Sequence, residues 1–157
     1  MSENLSFERV NVPGFFVAGI AVKTINQNGQ SQKDIGDLWT KFITENIAHQ
    51  IEGKLSDDVY CVYTDYESDH TGWYIAVLGC CVDDPGNVHS NFFTAFIPAG
   101  GYHVYKPQGK FPDNVANTWR QIWQTPIERK YNADYDCYKA GAKSFEETEV
   151  EVYLAVI

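Results

Sequence analysis

Ile35-Gly36-Asp37-Leu38-Trp39-Thr40-Lys41-Phe42 and Val115-Ala116-Asn117-Thr118-Trp119-Arg120-Gln121-Ile122 are two versions of one segment, set about half a chain apart in 157 residues. In the first, Ile35, Leu38, Trp39 and Phe42 fall at the spacing of one apolar helix face; in the second, Val115, Trp119, Ile122 and Trp123 do the same. Ser31 or Asp34 is the expected N-cap of the first helix and Asp113 that of the second, with Pro126 marking its end. Gly53 and Ser56–Asp58 close the first helical segment.

Strand signals flank both helices. Residues 5–24 read as strand broken at Pro13-Gly14, and residues 92–105 read as strand broken at Pro98-Ala99-Gly100-Gly101. After the first helix, Val59–Tyr66 and Trp73–Cys81 form a hairpin. After the second come Asp134–Tyr138 and a last strand over 149–157. Asp83-Asp84-Pro85-Gly86 is the strongest break. The expected organisation is one domain over 1–157, built from pseudo-repeats 1–84 and 85–157. Each repeat is β-α-β-β, an α+β fold with an antiparallel sheet, two helices on one face and a ligand groove on the other.

Bulk composition narrows the function classes. The chain is 44% hydrophobic and 15% aromatic, with a formal net charge of −9. Such an acidic surface disfavours nucleic acid, which needs clustered Lys and Arg. It suits cationic partners, and it equally suits plain solubility. Cys61, Cys80, Cys81 and Cys137 make no C-x-x-C pair and read as reduced thiols of a cytoplasmic protein. The first residues, Met1–Ser6, lack the apolar core of a leader, and no membrane span is visible. His49, His70, His89 and His103 show no metal spacing, and the acids of 57–69 read as a solvated turn, so neither metal nor cofactor is expected.

Strand parity sorts the side chains. Val150, Val152, Leu154 and Val156 are assigned to the helix-covered core, together with Trp73, Ile75, Val77, Tyr135 and Cys137. Tyr74 and Tyr153 then face the other way, matched through the similar runs Tyr74-Ile-Ala-Val77 and Tyr153-Leu-Ala-Val156. Aligning Tyr60-Cys-Val-Tyr63 with Tyr135-Asp-Cys-Tyr138 adds Cys61, Tyr63, Asp136 and Tyr138 to that face. The candidate binding set is therefore Tyr63, Tyr74, Tyr138 and Tyr153 around one carboxylate, Asp136, whose counterpart is the neutral Cys61. A lone acid within aromatic rings suits an organic cation, each ring face adding about 0.5–2 kcal/mol. Trp39 and Trp119 are first of all packing residues; Trp123 is placed at the groove edge.

Tyr60-Cys-Val-Tyr-Thr-Asp-Tyr66, Ile35-Gly-Asp-Leu-Trp39, Ile97-Pro-Ala-Gly-Gly-Tyr102 and Ala133-Asp-Tyr-Asp-Cys-Tyr138, in this order, resemble the GyrI-like superfamily. That superfamily includes the effector-binding domains of AraC-type and MerR-type multidrug regulators. The resemblance implies a duplicated β-α-β-β fold whose groove takes small aromatic, often cationic molecules. It implies that Asp136 stands where family members carry a drug-contacting Glu, and that Trp39, Tyr63, Tyr138 and Tyr153 are groove residues. No helix-turn-helix is present, so the chain resembles the stand-alone members. Some of those sequester drugs or toxins, some bind gyrase, and some hydrolyse cyclopropane-bearing alkylators. Two functions stay open: a binding protein for hydrophobic cations, or a hydrolase using a groove carboxylate and a Tyr hydroxyl. A protein partner such as gyrase or a regulator is a third, unsupported by any dedicated motif.

Overall fold

The computed structural model describes residues 6–157. The start of the first expected strand at residue 5 and most of the stretch read for a leader lie outside the described residues. Eight strands form one sheet: β1 (Glu8–Val12), β2 (Phe15–Ile25), β3 (Val59–Thr64), β4 (Trp73–Val82), β5 (Phe93–Ile97), β6 (Gly100–Tyr105), β7 (Ala133–Tyr138) and β8 (Val150–Ala155). The helices are α1 (Gln30–Thr44), a single turn α2 (Ile47–Gln50) and α3 (Asp113–Gln124). No helix among the described residues is long and apolar enough to cross a membrane.

All pairings between named strands are antiparallel, in the order β1-β6-β8-β7-β3-β4-β2-β5. Exchanging β1 with β5, β2 with β6, β3 with β7 and β4 with β8 reverses this order onto itself. The sheet therefore has a pseudo-twofold arrangement, and each half's opening strand lies on the edge of the other half. The breaks at Pro13-Gly14 and Pro98-Ala99 explain the exchange. Each separates an edge strand from the strand that stays with its own helix, because Pro supplies no ladder donor.

The helices form where the apolar spacing places them. Leu38 and Phe42 of α1 are buried against Ala18, Ile20, Leu78 and Cys80. Val115, Trp119 and Ile122 of α3 are buried against Val150, Val152, Leu154 and Val156. Each large side chain so buried contributes about 1.5–3 kcal/mol. The caps differ from expectation. α1 begins earlier, with Gly29 in the left-handed region at φ 74 as its N-cap and no side-chain bond from Ser31 or Asp34. Asp113 is the first residue of α3 rather than its cap, an acid at the positive end of the helix dipole. α1 stops at Glu45, before Asn46 turns left-handed at φ 56, so residues up to Gly53 are not one helix.

The faces of the sheet differ more from expectation than the caps do. The helix-free face is not open: Val17, Val62, Val77, Ile97, Tyr102 and Tyr135 form a second core there, joined by Phe15, Tyr60, Ile75 and Tyr153. The sheet curls on that side, so both faces are buried and burial alone cannot identify the helix side. Ile75, Val77 and Tyr135 are in this second core, whereas Val150, Val152 and Leu154 are under α3. The groove accordingly opens on the helix face, between α1 and α3, and not on the opposite one.

Gly19 and Gly79 face each other across β2 and β4, where an added Cβ would come 2.0 Å from the Leu78 carbonyl oxygen or 1.9 Å from that of Ala18. No side chain fits that close approach. At the matching place in the other half β8 carries Tyr153, which lies opposite Tyr135 as Gly79 lies opposite Tyr60.

Candidate functional site

The floor of the groove is the central ladder of β3 and β7. Its register pairs Cys61 with Asp136. These residues are also counterparts in the repeat, so the pseudo-twofold axis runs through this one pair. A residue on the axis meets its own counterpart, and any difference between the two becomes an asymmetry at the centre of the site.

Asp136 is fully buried. The Tyr63 hydroxyl donates to its Oδ2 at 2.6 Å, the Tyr138 hydroxyl to the same oxygen at 3.3 Å, and the Trp119 indole N–H to Oδ1 at 2.9 Å. Burial pushes its pKa up to about 6, against the three donors, which favour the carboxylate. At neutral pH the group is thus mostly ionised, beneath a surface of rings. Tyr63 and Tyr138 hold their protons well above the usual tyrosine range, first because they are buried and then because the Asp136 charge lies beside them.

The rings repeat the symmetry of the fold. Trp39 stands edge-on to Tyr138 at 4.9 Å, and Trp119 edge-on to Tyr63 at 5.3 Å. Each helix tryptophan meets the central tyrosine of the other half. The matching ends there, because Trp119 reaches a carboxylate and Trp39 lies above the thiol side of the axis. Cys61 is buried below the groove, its thiol pushed up by burial, and all four cysteines are buried free thiols.

The groove encloses about 840 Å³, inside the roughly 300–1,000 Å³ of small-molecule sites. Ile35 and Trp39 wall one side, and Val115, Trp119 and Trp123 the other. Phe111, Phe145 and Lys139 lie at the Tyr138 end. The opposite end holds Tyr66, His70, Tyr74 and Arg129. There Asp134, also fully buried, accepts from Tyr66 (2.6 Å), from Arg129 (2.8 Å) and from the Ala155 N–H (2.7 Å). Tyr74 donates to Asn26 at 2.7 Å, and Asn26 in turn donates to the His70 carbonyl at 3.0 Å. Among the described residues no group of three or more His, Cys, Asp or Glu is placed to hold a metal ion.

Of the residues singled out in the sequence, Asp136, Tyr63, Tyr74, Tyr138, Trp39, Trp119 and Trp123 line this groove. Cys61 lies beneath it. Tyr153 is the correction: it is in the helix-free core, stacked on Tyr135 at 4.5 Å. The ladders match Cys61 with Leu78 and Asp136 with Val152, so the counterpart of Leu78 is Val152. The runs at Tyr74 and Tyr153 are therefore out of step by an odd number of residues, and an odd slip exchanges faces. Sequence reasoning also missed Asp134, Tyr66, His70 and Arg129. Asp134 was within reach, since it shares the parity of Asp136 and Tyr138. Arg129 follows α3 in a loop, where no periodicity assigns a direction.

Residues 9–156 match the model of a family described as Cass2, integron-associated effector binding protein. No curated protein matches the sequence. Among solved structures, an integron cassette protein from the mobile metagenome of Vibrio cholerae (VCH_CASS2) is 27% identical over 99% of this chain and 100% of its own, with a TM-score of 0.72. SAV2435, solved bound to tetraphenylphosphonium, is 16% identical over 98% of this chain and 94% of its own, with a TM-score of 0.78. The EcmrR C-terminal domain is 15% identical over 98% of each chain, with a TM-score of 0.52.

Proposed function

The chain belongs to the Cass2 family of integron-associated effector binding proteins, a GyrI-like family, and on that premise we propose that its small-molecule ligand is a hydrophobic aromatic cation held in the groove between α1 and α3. The observation that carries this reading is the Asp136 carboxylate, fully buried under Tyr63, Tyr138 and Trp119. Its charge lies below the ring layer, out of reach of a small hydrated ion. A flat or globular organic cation has no tightly bound water to lose. It can lie on ring faces while the carboxylate acts across a few ångströms of low dielectric. The tetraphenylphosphonium carried by the similar SAV2435 fold is a ligand of this chemistry.

A binding role is favoured over hydrolysis. A general base needs an oxygen turned to the reacting water, and Asp136 spends its oxygens on three protein donors. The acidic balance of the chain also fits a cationic ligand and no direct contact with nucleic acid. Titration with tetraphenylphosphonium, followed by tryptophan fluorescence, tests the proposal. Saturable quenching at pH 7.5 is expected, weakened in Asp136→Asn. No saturable signal in the wild type, or equal affinity in Asp136→Asn, would sink the corresponding part.

A further inference from the structure

We infer that the end of the groove formed by Arg129 and His70 receives a carboxylate-type acceptor, so that the preferred ligand is an aromatic zwitterion: a cationic ring system over Asp136 with an acidic group beyond it. This inference rests on the reading of the groove as a site for aromatic cations.

Arg129 is 8% exposed and lines the groove. Its Nη2 donates to Asp134, while its Nε and Nη1 are buried without a partner. His70, which lines the same end, has a buried Nδ1 without a partner. These are three of the four such side-chain atoms among the described residues, and they belong to two neighbouring residues. Buried polar atoms are nearly always hydrogen-bonded, so a cluster of exceptions in a groove marks a place that a ligand group or water completes. Asp134 does not need the spare donors, since Tyr66 and the Ala155 N–H already serve it.

The pole is also held in position. The guanidinium lies over the Tyr131 ring at 4.3 Å and the Tyr66 ring at 5.9 Å. The His70 ring is parallel to Trp123 at 5.9 Å. Burial and the Arg129 charge both lower the His70 pKa, so it offers a neutral imidazole and not a second cation. A guanidinium favours charged oxygen acceptors over neutral ones, so an anionic group such as a carboxylate fits this end better than an ester or an amide. Asp134 neutralises the arginine overall, so a free anion gains little there. A carboxylate tethered to a cation gains from both poles at once. Asp134 and Asp136 are two residues apart on one strand face, about 7 Å along β7, which a fused aromatic ligand spans.

The test compares tetramethylrhodamine with its methyl ester by fluorescence anisotropy. The two share one cation and differ only in the free carboxylate. The acid is expected to bind the wild type about tenfold tighter than the ester. Arg129→Met is expected to bring that ratio to about one. His70→Phe keeps the ring beside Trp123, removes Nδ1, and is expected to reduce the ratio about threefold. The wild-type and His70→Phe ratios decide the matter even if Arg129→Met does not fold. Ester binding with no preference for the acid overturns the second pole and leaves the cation site standing. If neither dye nor tetraphenylphosphonium binds, the cation site itself falls, and the second pole with it.

Discussion

The two halves agree in packing and differ in polarity. Trp39 and Trp119 take equivalent places, as do Tyr63 and Tyr138. Where the first half has Val59 and Cys61, the second has Asp134 and Asp136. Lys54 and Arg129 also correspond, each bridging to the end of its half's last strand, at Val82 and Val156. Lys54 reaches only an exposed Asp57 at 3.6 Å, whereas Arg129 is buried against Asp134 at 2.8 Å. The first half lines the groove with Ile35 and Trp39 and with the polar Asn26, Tyr66, His70 and Tyr74, and most of the charge of the groove comes from the second. The two similar halves meet at the groove, and their difference at and beside the axis is what would let the proposed site tell one end of a ligand from the other.

The sharpest break of that comparison is at Arg129 and Lys54. Arg129→Met leaves Asp134 buried without its cation and is expected to cost about 3–5 kcal/mol. Lys54→Met removes a long pair to the exposed Asp57, worth under about 1 kcal/mol. Urea denaturation of both variants at pH 7 checks this; equal losses would mean that the buried pair contributes nothing special. Next comes the tryptophan pair. Trp119→Phe removes a donor to a buried carboxylate and is expected to cost about 1.5–3 kcal/mol, and it raises the Asp136 pKa above about 6. Trp39→Phe, edge-on to Tyr138, loses contact area alone, about 1 kcal/mol. Its pH behaviour should be that of the wild type.

The axis itself separates stability from binding. Folding raises the Asp136 pKa from 3.8 to about 6. The folded state therefore binds the proton more tightly, and this group's contribution to stability is most favourable below pH 3.8 and declines as pH rises toward about 6. Under the proposed function cation binding is expected to run the opposite way, because it would draw on the carboxylate. Tetraphenylphosphonium affinity is expected to fall roughly tenfold from pH 7 to pH 5, with a midpoint near 6 set by the same group. Asp136→Asn should flatten both profiles and weaken the cation by about tenfold. Cys61→Ser, across the ladder from it, should leave the pH midpoint unchanged. Calorimetric titration across that range reads both; a flat wild-type profile would remove Asp136 from the binding equilibrium.

Both long helices are legible in the sequence because each carries one apolar stripe at helical spacing, and that period is stated locally. Strand positions are legible for the same reason. Helix starts are not: Gly29 and Pro112 stand at the N-caps without a side-chain bond, so the Ser and Asp signals nearby mislead. Facing is illegible because the sheet is buried on both sides, which makes Val77 and Val152 look alike although they are on opposite faces. Asp136 was findable through the repeat. Asp134 is legible by the same strand parity, being two residues from Asp136 in β7. Arg129 and His70 come from loops, and only the tertiary structure brings them to the groove.

The smallest expected effect tests the register of the halves. Tyr74 and Tyr153 begin similar runs, yet Tyr74 lines the groove and Tyr153 stacks on Tyr135 behind the sheet. Tyr74→Phe frees Asn26, which holds the His70 carbonyl. Losing that tie is expected to weaken ligand binding about three- to fivefold, since one neutral hydrogen bond is worth about 1 kcal/mol. Tyr153→Phe removes only a 3.2 Å bond to Glu151 on the far face, so affinity should stay within about twofold, the scatter of uncoupled sites. If Tyr153→Phe weakened tetraphenylphosphonium as much as Tyr74→Phe did, the two tyrosines would share a face after all. The ladder pairing Tyr153 with Tyr135, and with it the assignment of the groove to the helix side, would have to be abandoned.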